Sequence, residues 1–187
     1  MAVMMKNYQH VCGGSIISDK FILTAGHCMY YIPHSIDSRW IVGSHSIREV
    51  QYTKQQSYKT KDYELHPLWR PGTKFDNYDM AMVSVDRRIM FTPAAIPICL
   101  PKIGDEKLFW NQKVNIAGWG RIEENGEQTD VLMETHVYLK TQRECRQLAG
   151  HIKYDERSMI CAHERNTDAC QGDSGNFLRI ILWFGGI

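Results

Sequence analysis

A serine in a glycine-rich turn is the residue of this chain best suited to nucleophilic chemistry. Ser174 lies in residues 168–175, Asp-Ala-Cys-Gln-Gly-Asp-Ser-Gly. A serine hydroxyl is a weak nucleophile and needs a neighbouring base that a third group holds in place. His27, in Thr-Ala-Gly-His-Cys, can act as the base, and Asp79, in Asn-Tyr-Asp-Met-Ala-Met, can hold it. The order His, Asp, Ser is one of three chain orders found in hydrolytic triads.

Strands are predicted on either side of the histidine and directly after the aspartate. Residues 1–17 indicate two strands joined by a polar tip at Lys6-Asn7, and residues 21–23 form a short apolar strand that leads into His27. Asp79 stands before residues 80–85, a nearly continuous apolar run of the kind a buried strand shows. Residues 29–60 are polar and rich in tyrosine, and residues 40–43 are the only clear strand predicted in this region.

The second half of the chain is also predicted to be built from strands. Residues 91–110 contain three prolines, which favours a linker over a central strand. Residues 114–120 predict a strand, and the Asn-Gly pair within residues 124–127 is typical of a hairpin turn. Residues 131–139 alternate in the period-2 pattern of a half-buried strand. Thr141 and Glu144 fit a capping box that starts a short helix.

Composition limits the partners and cofactors. The 187 residues are 43% hydrophobic and carry a formal net charge of +1, without a basic stripe. We therefore expect neither a nucleic-acid partner nor an anionic membrane partner. The apolar run at residues 180–184 is far shorter than the ~20 residues that span a bilayer.

Six cysteines in a chain of this size favour disulfide bonds over metal binding. There is no Cys-x2-Cys pair and no His-Glu-x-x-His, and the eight histidines do not cluster at ligand spacing. We expect no metal and no cofactor, and an oxidising compartment. Because the first residues show no secretory signal, we also expect that the natural N-terminus lies further upstream.

The three local contexts of His27, Asp79 and Ser174 together resemble the trypsin/chymotrypsin family of serine endopeptidases. The resemblance implies an all-β fold of two antiparallel β-barrels with the site between them. It divides a partial peptidase domain, residues 1–187, into an N-terminal barrel at 1–90 that holds His27 and Asp79, a linker at 91–110, and a C-terminal barrel at 111–187. The C-terminal barrel holds Ser174 and is expected to be incomplete at its C-terminal end.

The resemblance also implies a role for each site residue. Ser174 would attack the scissile carbonyl, His27 would move the proton, and Asp79 would orient the imidazole. The backbone N–H groups of Gly172 and Ser174 would form the oxyanion hole. Asp168 matches the base of the primary specificity pocket, so cleavage of protein or peptide substrates after Arg or Lys is implied.

Plainer structural readings exist for each of these residues. His27 could be a core histidine, Asp79 a residue that opens a strand, Ser174 a turn serine and Asp168 a surface aspartate. At the level of function, the alternatives are a non-catalytic relative that binds its partners, or an inactive fragment or splice product. The specific contexts of Ser174 and His27 favour catalysis.

The resemblance further implies the disulfide pairs Cys12–Cys28 and Cys145–Cys161, and a secreted protein. In many family members the cysteine at the position of Cys99 tethers an upstream propeptide or regulatory segment. The resemblance places the usual partner of Cys170 in closing strands that we expect this sequence to lack, and the redox state of both cysteines stays open.

The chain departs from the family pattern at both ends. Residues 176–187 carry no family motif. In the family, an N-terminal ammonium released by activation pairs with the aspartate before the serine, here Asp173, and we expect this sequence to begin after that activation segment. Removing one member of a buried ion pair costs ~3–5 kcal/mol. We therefore expect this polypeptide to cleave poorly or not at all.

Overall fold

The structure, a computed structural model, describes residues 1–32, 37–50, 56–72, 77–102, 109–122, 126–149, 154–165, 173–174 and 178–179. Most of the regular structure in these residues is β-strand, with three short helices. In chain order the elements are β1 (Ala2–Lys6), β2 (Gln9–Ile16), β3 (Phe21–Thr24), α1 (Gly26–Tyr30), β4 (Arg39–Val42), α2 (Ile47–Val50), β5 (Ser57–Leu65), β6 (Ala81–Val85), β7 (Lys113–Gly118), β8 (Met133–Leu139), α3 (Gln142–Leu148), β9 (Ala162–His163) and β10 (Leu178–Arg179).

The first six strands close into an antiparallel barrel in the order β1-β2-β3-β6-β5-β4. The predicted hairpin between β1 and β2 is confirmed: Lys6 pairs with Gln9, and Asn7 and Tyr8 adopt positive φ values of 49° and 63°. Side chains that point inward from all six strands form one buried cluster. Its largest fully buried members include Trp40, Tyr58 and Met4. Each contributes about 1.5–3 kcal/mol by leaving water, which makes this barrel the stable support for the site.

The region between α1 and β6 contains more regular structure than the sequence predicted. The expectation of one clear strand there is wrong, because β5 runs for nine residues and pairs with both β4 and β6. The register of β5 against β6 shifts between Thr60 and Asp62. This irregularity interrupts the alternation of buried and exposed side chains, which hides the strand from a period-2 search.

The second half of the chain forms a four-stranded sheet in the order β10-β7-β8-β9. The predicted strands near 114–120 and 131–139 correspond to β7 and β8, which pair antiparallel from Lys113–Tyr138 to Gly118–Met133. Val114, Val137 and Leu139 pack with Phe109 in a separate small core. Of the Asn-Gly turn predicted between them at residues 124–127, Glu124 and Asn125 lie outside the described residues. The fold class is confirmed: a closed six-stranded barrel stands beside a partial second sheet.

The predicted capping box of α3 is confirmed. The Thr141 side chain accepts a hydrogen bond from Glu144 N, and the Glu144 carboxylate accepts one from Thr141 N. These bonds lower the pKa of Glu144 below its usual value, with the Thr141 side-chain bond as the largest cause. They satisfy backbone donors that the first turn of a helix leaves unpaired.

Candidate active site

Asp79 and His27 meet because two paired strands end at the same place. β3 runs antiparallel to β6, with Thr24 opposite Ala81. His27 comes three residues after the end of that pairing and Asp79 two residues before it, so the register brings both to one end of the barrel. His27 lies in α1, which begins at Gly26.

The Asp79 carboxylate holds both the backbone and the ring of His27. Its Oδ1 accepts a hydrogen bond from His27 N at 2.7 Å, and its Oδ2 lies 2.5 Å from His27 Nδ1. The aspartate side chain is 17% exposed and the histidine side chain 35% exposed, and His27 Nε2 lies 3.6 Å from Cys28 Sγ. The contact at Nδ1 favours the tautomer with its proton there, which leaves Nε2 able to accept a proton.

An aromatic cluster stands beside this pair, and the sequence reading missed it. Trp69 is buried, and its ring is contacted edge-on by Tyr30, the last residue of α1, at 5.5 Å between centroids and by the following Tyr31 at 6.3 Å. Both tyrosines are about half exposed. A single tryptophan within a loop that contains proline and glycine gives no periodic pattern. The only sequence signal for this aromatic cluster was the pair Tyr30-Tyr31, which follows His27 by three residues.

The Cys12–Cys28 disulfide ties the histidine segment to β2. It joins the residue after His27 to the strand directly before Gly13. The Cys145–Cys161 disulfide ties α3 to the segment before β9, so both predicted pairs are confirmed. Among the cysteines of the described residues, Cys99 is exposed and free.

Ser174 lies against the same strand as that disulfide. Its carbonyl oxygen accepts a hydrogen bond from Gly13 N at 2.8 Å. Gly13 follows Cys12, whose disulfide partner follows His27, so two short links connect the serine backbone to the histidine segment. Asp168, Cys170 and Gly172 lie outside the described residues.

Asp173, the neighbour of Ser174, points toward the second sheet and a buried histidine. Its Oδ1 accepts a hydrogen bond from Gly120 N at 2.9 Å. A Cβ atom at Gly120 would lie only 2.5 Å from that carboxylate, so a side chain at this position would displace the Asp173 side chain. Burial lowers the pKa of His10 from its usual value, against smaller opposing effects of the Cys12 backbone and the Asp173 charge.

The site offers no obvious cation ligands where the structure describes it. Cys12, His27 and Cys28 place their ligand atoms close together, but both cysteine sulfurs are committed to a disulfide. Cysteine binds a metal ion as a free thiolate, and both of these sulfurs are held in the disulfide, so this cluster does not fit a metal ion. In the described part of the chain, no helix is long and apolar enough to cross a membrane.

Comparison with known proteins establishes the family. The family model described as Trypsin matches residues 1–176. The chain is 32% identical over 185 residues to the venom peptide isomerase heavy chain of Agelenopsis aperta, covering 94% of this chain and 74% of that protein. It is also 32% identical over 178 residues to the serine proteinase stubble of Drosophila melanogaster, covering 91% of this chain and 22% of that much longer protein. The chain belongs to the trypsin family of serine proteases.

A solved structure agrees with the fold. Neuropsin, described as a serine protease expressed in the limbic system of mouse brain, superposes with a TM-score of 0.82. The match covers 96% of this chain and 76% of that one, at 22% sequence identity. At this identity the likeness speaks for the arrangement of strands alone.

Proposed function

We propose that this chain is a serine endopeptidase in which Ser174, His27 and Asp79 form the catalytic triad. The observation that carries the proposal is the Asp79 carboxylate, which bonds to both the backbone and the ring of His27. A histidine that only filled a core would not need its Nδ1 and its backbone fixed by one partly buried carboxylate. The short backbone link between Ser174 and Gly13 supports the serine as the third member.

In the proposed reaction, Ser174 Oγ attacks the scissile carbonyl carbon while His27 Nε2 takes the hydroxyl proton. The imidazolium that forms is stabilised by Asp79, and it gives the proton to the leaving amine as the C–N bond breaks. A water molecule then hydrolyses the acyl-enzyme by the same proton route. The N–H groups of Gly172 and Ser174 would stabilise the oxyanion, where the loss of one donor costs about 10²–10³-fold in rate.

We further propose that Asp168 selects substrates with Arg or Lys before the scissile bond. A carboxylate at the base of a pocket forms charge-assisted hydrogen bonds with a guanidinium or ammonium group. The proposed substrates are therefore proteins or peptides with exposed basic residues. Two disulfides fit a protein secreted into an oxidising environment, and the exposed Cys99 is the position where an upstream propeptide would be tethered.

The test is covalent labelling of the purified chain with a fluorophosphonate probe, which reacts with a serine that has an active base. We expect slow labelling of a peptide that contains Ser174, consistent with the poor cleavage expected from the sequence, and no label in Ser174→Ala. Hydrolysis of matched Arg, Lys and Phe esters then tests Asp168, because Asp168→Ser should remove the preference for the basic esters and spare the Phe ester. A sample that is folded by near-ultraviolet circular dichroism and takes no label contradicts the proposal and supports a non-catalytic homologue.

A further inference from the structure

Three exposed cations gather at one end of the first barrel, where β4 and β5 begin and β6 has just ended. They are Arg39, Lys59 and Arg87, which we name the cationic rim. Arg39 and Lys59 are directly opposite each other across the β4–β5 pair. Arg39 Nη1 lies 3.5 Å from Ser57 Oγ, and Arg87 Nη2 donates to Ser57 O at 2.6 Å. Two guanidinium groups therefore converge on one serine beside the Lys59 position.

The negative charge near the rim is smaller than its positive charge. Among the described residues, no ion pair joins Arg39 or Lys59 to a carboxylate. Asp86 is the acid at this place: its Oδ2 lies 3.7 Å from Arg87, and its Oδ1 accepts a bond from Lys59 N. Like charges directly opposite each other on a sheet are destabilising. A bound anion would relieve this repulsion.

The rim is partly ordered before any partner binds. The Arg87 guanidinium lies 4.5 Å from the centre of the Tyr58 ring and is also tied to Ser57 O. A guanidinium offers planar paired donors that match the oxygens of a tetrahedral oxyanion. Because Arg87 is already held, less side-chain entropy is lost when such an anion binds.

The chemistry of the rim favours a sulfated chain over a protein partner. The residues that alternate with the cations, Trp40 and Tyr58, point into the barrel and are buried. This part of β4 and β5 therefore presents charge and planar donors without an exposed aromatic side chain. Protein interfaces depend on buried aromatic or apolar anchors, whereas sulfate groups need only cationic donors.

We propose that the cationic rim binds a sulfated polysaccharide. The attraction is local, because the whole chain has 22 Lys and Arg against 21 Asp and Glu. Added salt should weaken this attraction strongly, because it shortens the distance over which the charges act to a few ångströms. Such a site would hold the protease on an extracellular polymer without occupying His27 or Ser174.

The experiment measures the NaCl concentration at which the intact chain elutes from immobilised heparin, and its Kd for a heparin dodecasaccharide. We expect the wild type to be retained above physiological salt, which is about 0.15 M. The variant Arg39→Gln/Lys59→Gln/Arg87→Gln should elute earlier and bind at least tenfold more weakly. The matched control is Lys113→Gln/Arg143→Gln/Arg165→Gln, which removes the same charge from exposed cations of the second half.

Each further arm separates the proposal from a rival. Equal losses in both triple variants would mean diffuse attraction and would overturn the assignment of the rim. Chemically desulfated heparin should bind much more weakly, and equal binding would show that sulfate is not recognised. Poly-glutamate that competes better than heparin would point to an acidic protein segment instead. Arg39→Gln/Lys59→Gln, which keeps the Arg87 contacts with Tyr58, guards against a folding defect and should still lose most of the affinity.

Discussion

At the scale of single residues, Asp79 fixes two parts of His27 with one carboxylate, through the 2.7 Å bond to the backbone and the 2.5 Å contact with Nδ1. Asp79→Asn keeps the shape of the side chain but changes its hydrogen-bonding roles, because an amide NH₂ facing Nδ1 favours the wrong imidazole tautomer. The same substitution lowers kcat about 10⁴-fold in the well-studied triad of this family.

We expect Asp79→Asn to lower the rate of Ser174 labelling by several orders of magnitude, with a much smaller change in the free energy of unfolding. Labelling rates and urea unfolding measure the two effects separately. The reading of Asp79 as a mere strand-opening residue predicts the reverse pattern, a loss of stability with labelling intact.

His10 gives stability a dependence on pH near neutrality. Burial depresses the pKa of His10 in the folded state below the ordinary value of 6.5, so the unfolded chain takes up a proton more readily. Stability should therefore fall as pH drops below about 6.5, because the unfolded state then binds more protons. The opposing charge of Asp173 reduces this effect without reversing its sign.

We expect the free energy of urea unfolding to decrease from pH 7.5 to pH 5.5, and His10→Gln to flatten that slope. His163→Gln, which alters an exposed histidine of β9, serves as the control and should leave the slope unchanged. A slope that survives in His10→Gln would assign the titration to another group.

At the scale of elements, the two disulfides close loops of the same sequence separation, 16 residues, yet lie in different places. The entropy of loop closure predicts that removing either costs about 3 kcal/mol. Only Cys12–Cys28 ties the segment of His27 to the strand that bonds Ser174. Cys145–Cys161 instead holds α3 near β9.

We therefore expect Cys12→Ala/Cys28→Ala and Cys145→Ala/Cys161→Ala to lose similar stability, and only the first pair to slow labelling of Ser174. Differential scanning calorimetry and labelling at a temperature where all variants are folded provide the comparison. Equal loss of labelling in both would mean that stability alone controls reactivity.

The elements that the sequence predicted are those with an uninterrupted local signal. β6 follows Asp79 as an apolar run, and the polar tip between β1 and β2 marks their turn. The bulge in β5 and the five-residue length of α1 give no such signal. The candidate site residues were proposed from their local contexts, whereas the aromatic cluster at Trp69 and the cationic rim join residues from separate segments, which only the folded chain brings together.

At the scale of the whole molecule, Asp130 joins the first barrel to the second half of the chain. Its Oδ1 accepts a hydrogen bond from Arg48 N at 2.9 Å, its Oδ2 one from Ser46 Oγ at 3.1 Å, and its carbonyl one from Ile47 N at 2.8 Å. The two backbone bonds satisfy the N–H groups of Ile47 and Arg48, which are among the first donors of α2 and have no partner within the helix. The Arg48 side chain is 86% exposed, so its ion pair with Asp130 adds little.

Other contacts cross the same boundary nearby. The His45 carbonyl accepts bonds from Leu132 N and from the Trp119 indole, and Trp119 packs with Val3 and Ile41 of the barrel. The Gly13–Ser174 bond belongs to this boundary as well. Loosening the boundary at Asp130 should therefore disturb the placement of Ser174 relative to His27, although Asp130 bonds to neither in the described structure.

We expect Asp130→Ala to cost about 1 kcal/mol of stability, the usual effect of losing a helix cap, and to slow Ser174 labelling. Asp86→Ala is the matched control, since Asp86 accepts an equally short 2.9 Å bond from Lys59 N within the first barrel alone. Urea unfolding, labelling rates and hydrogen exchange of residues 44–50 measure the three effects. If both variants lose stability and label equally fast, the boundary at Asp130 supports the fold without positioning the site. If only Asp130→Ala labels slowly and exchanges faster at 44–50, the geometry of the site depends on how the two halves are joined, because His27 and Ser174 belong to different halves.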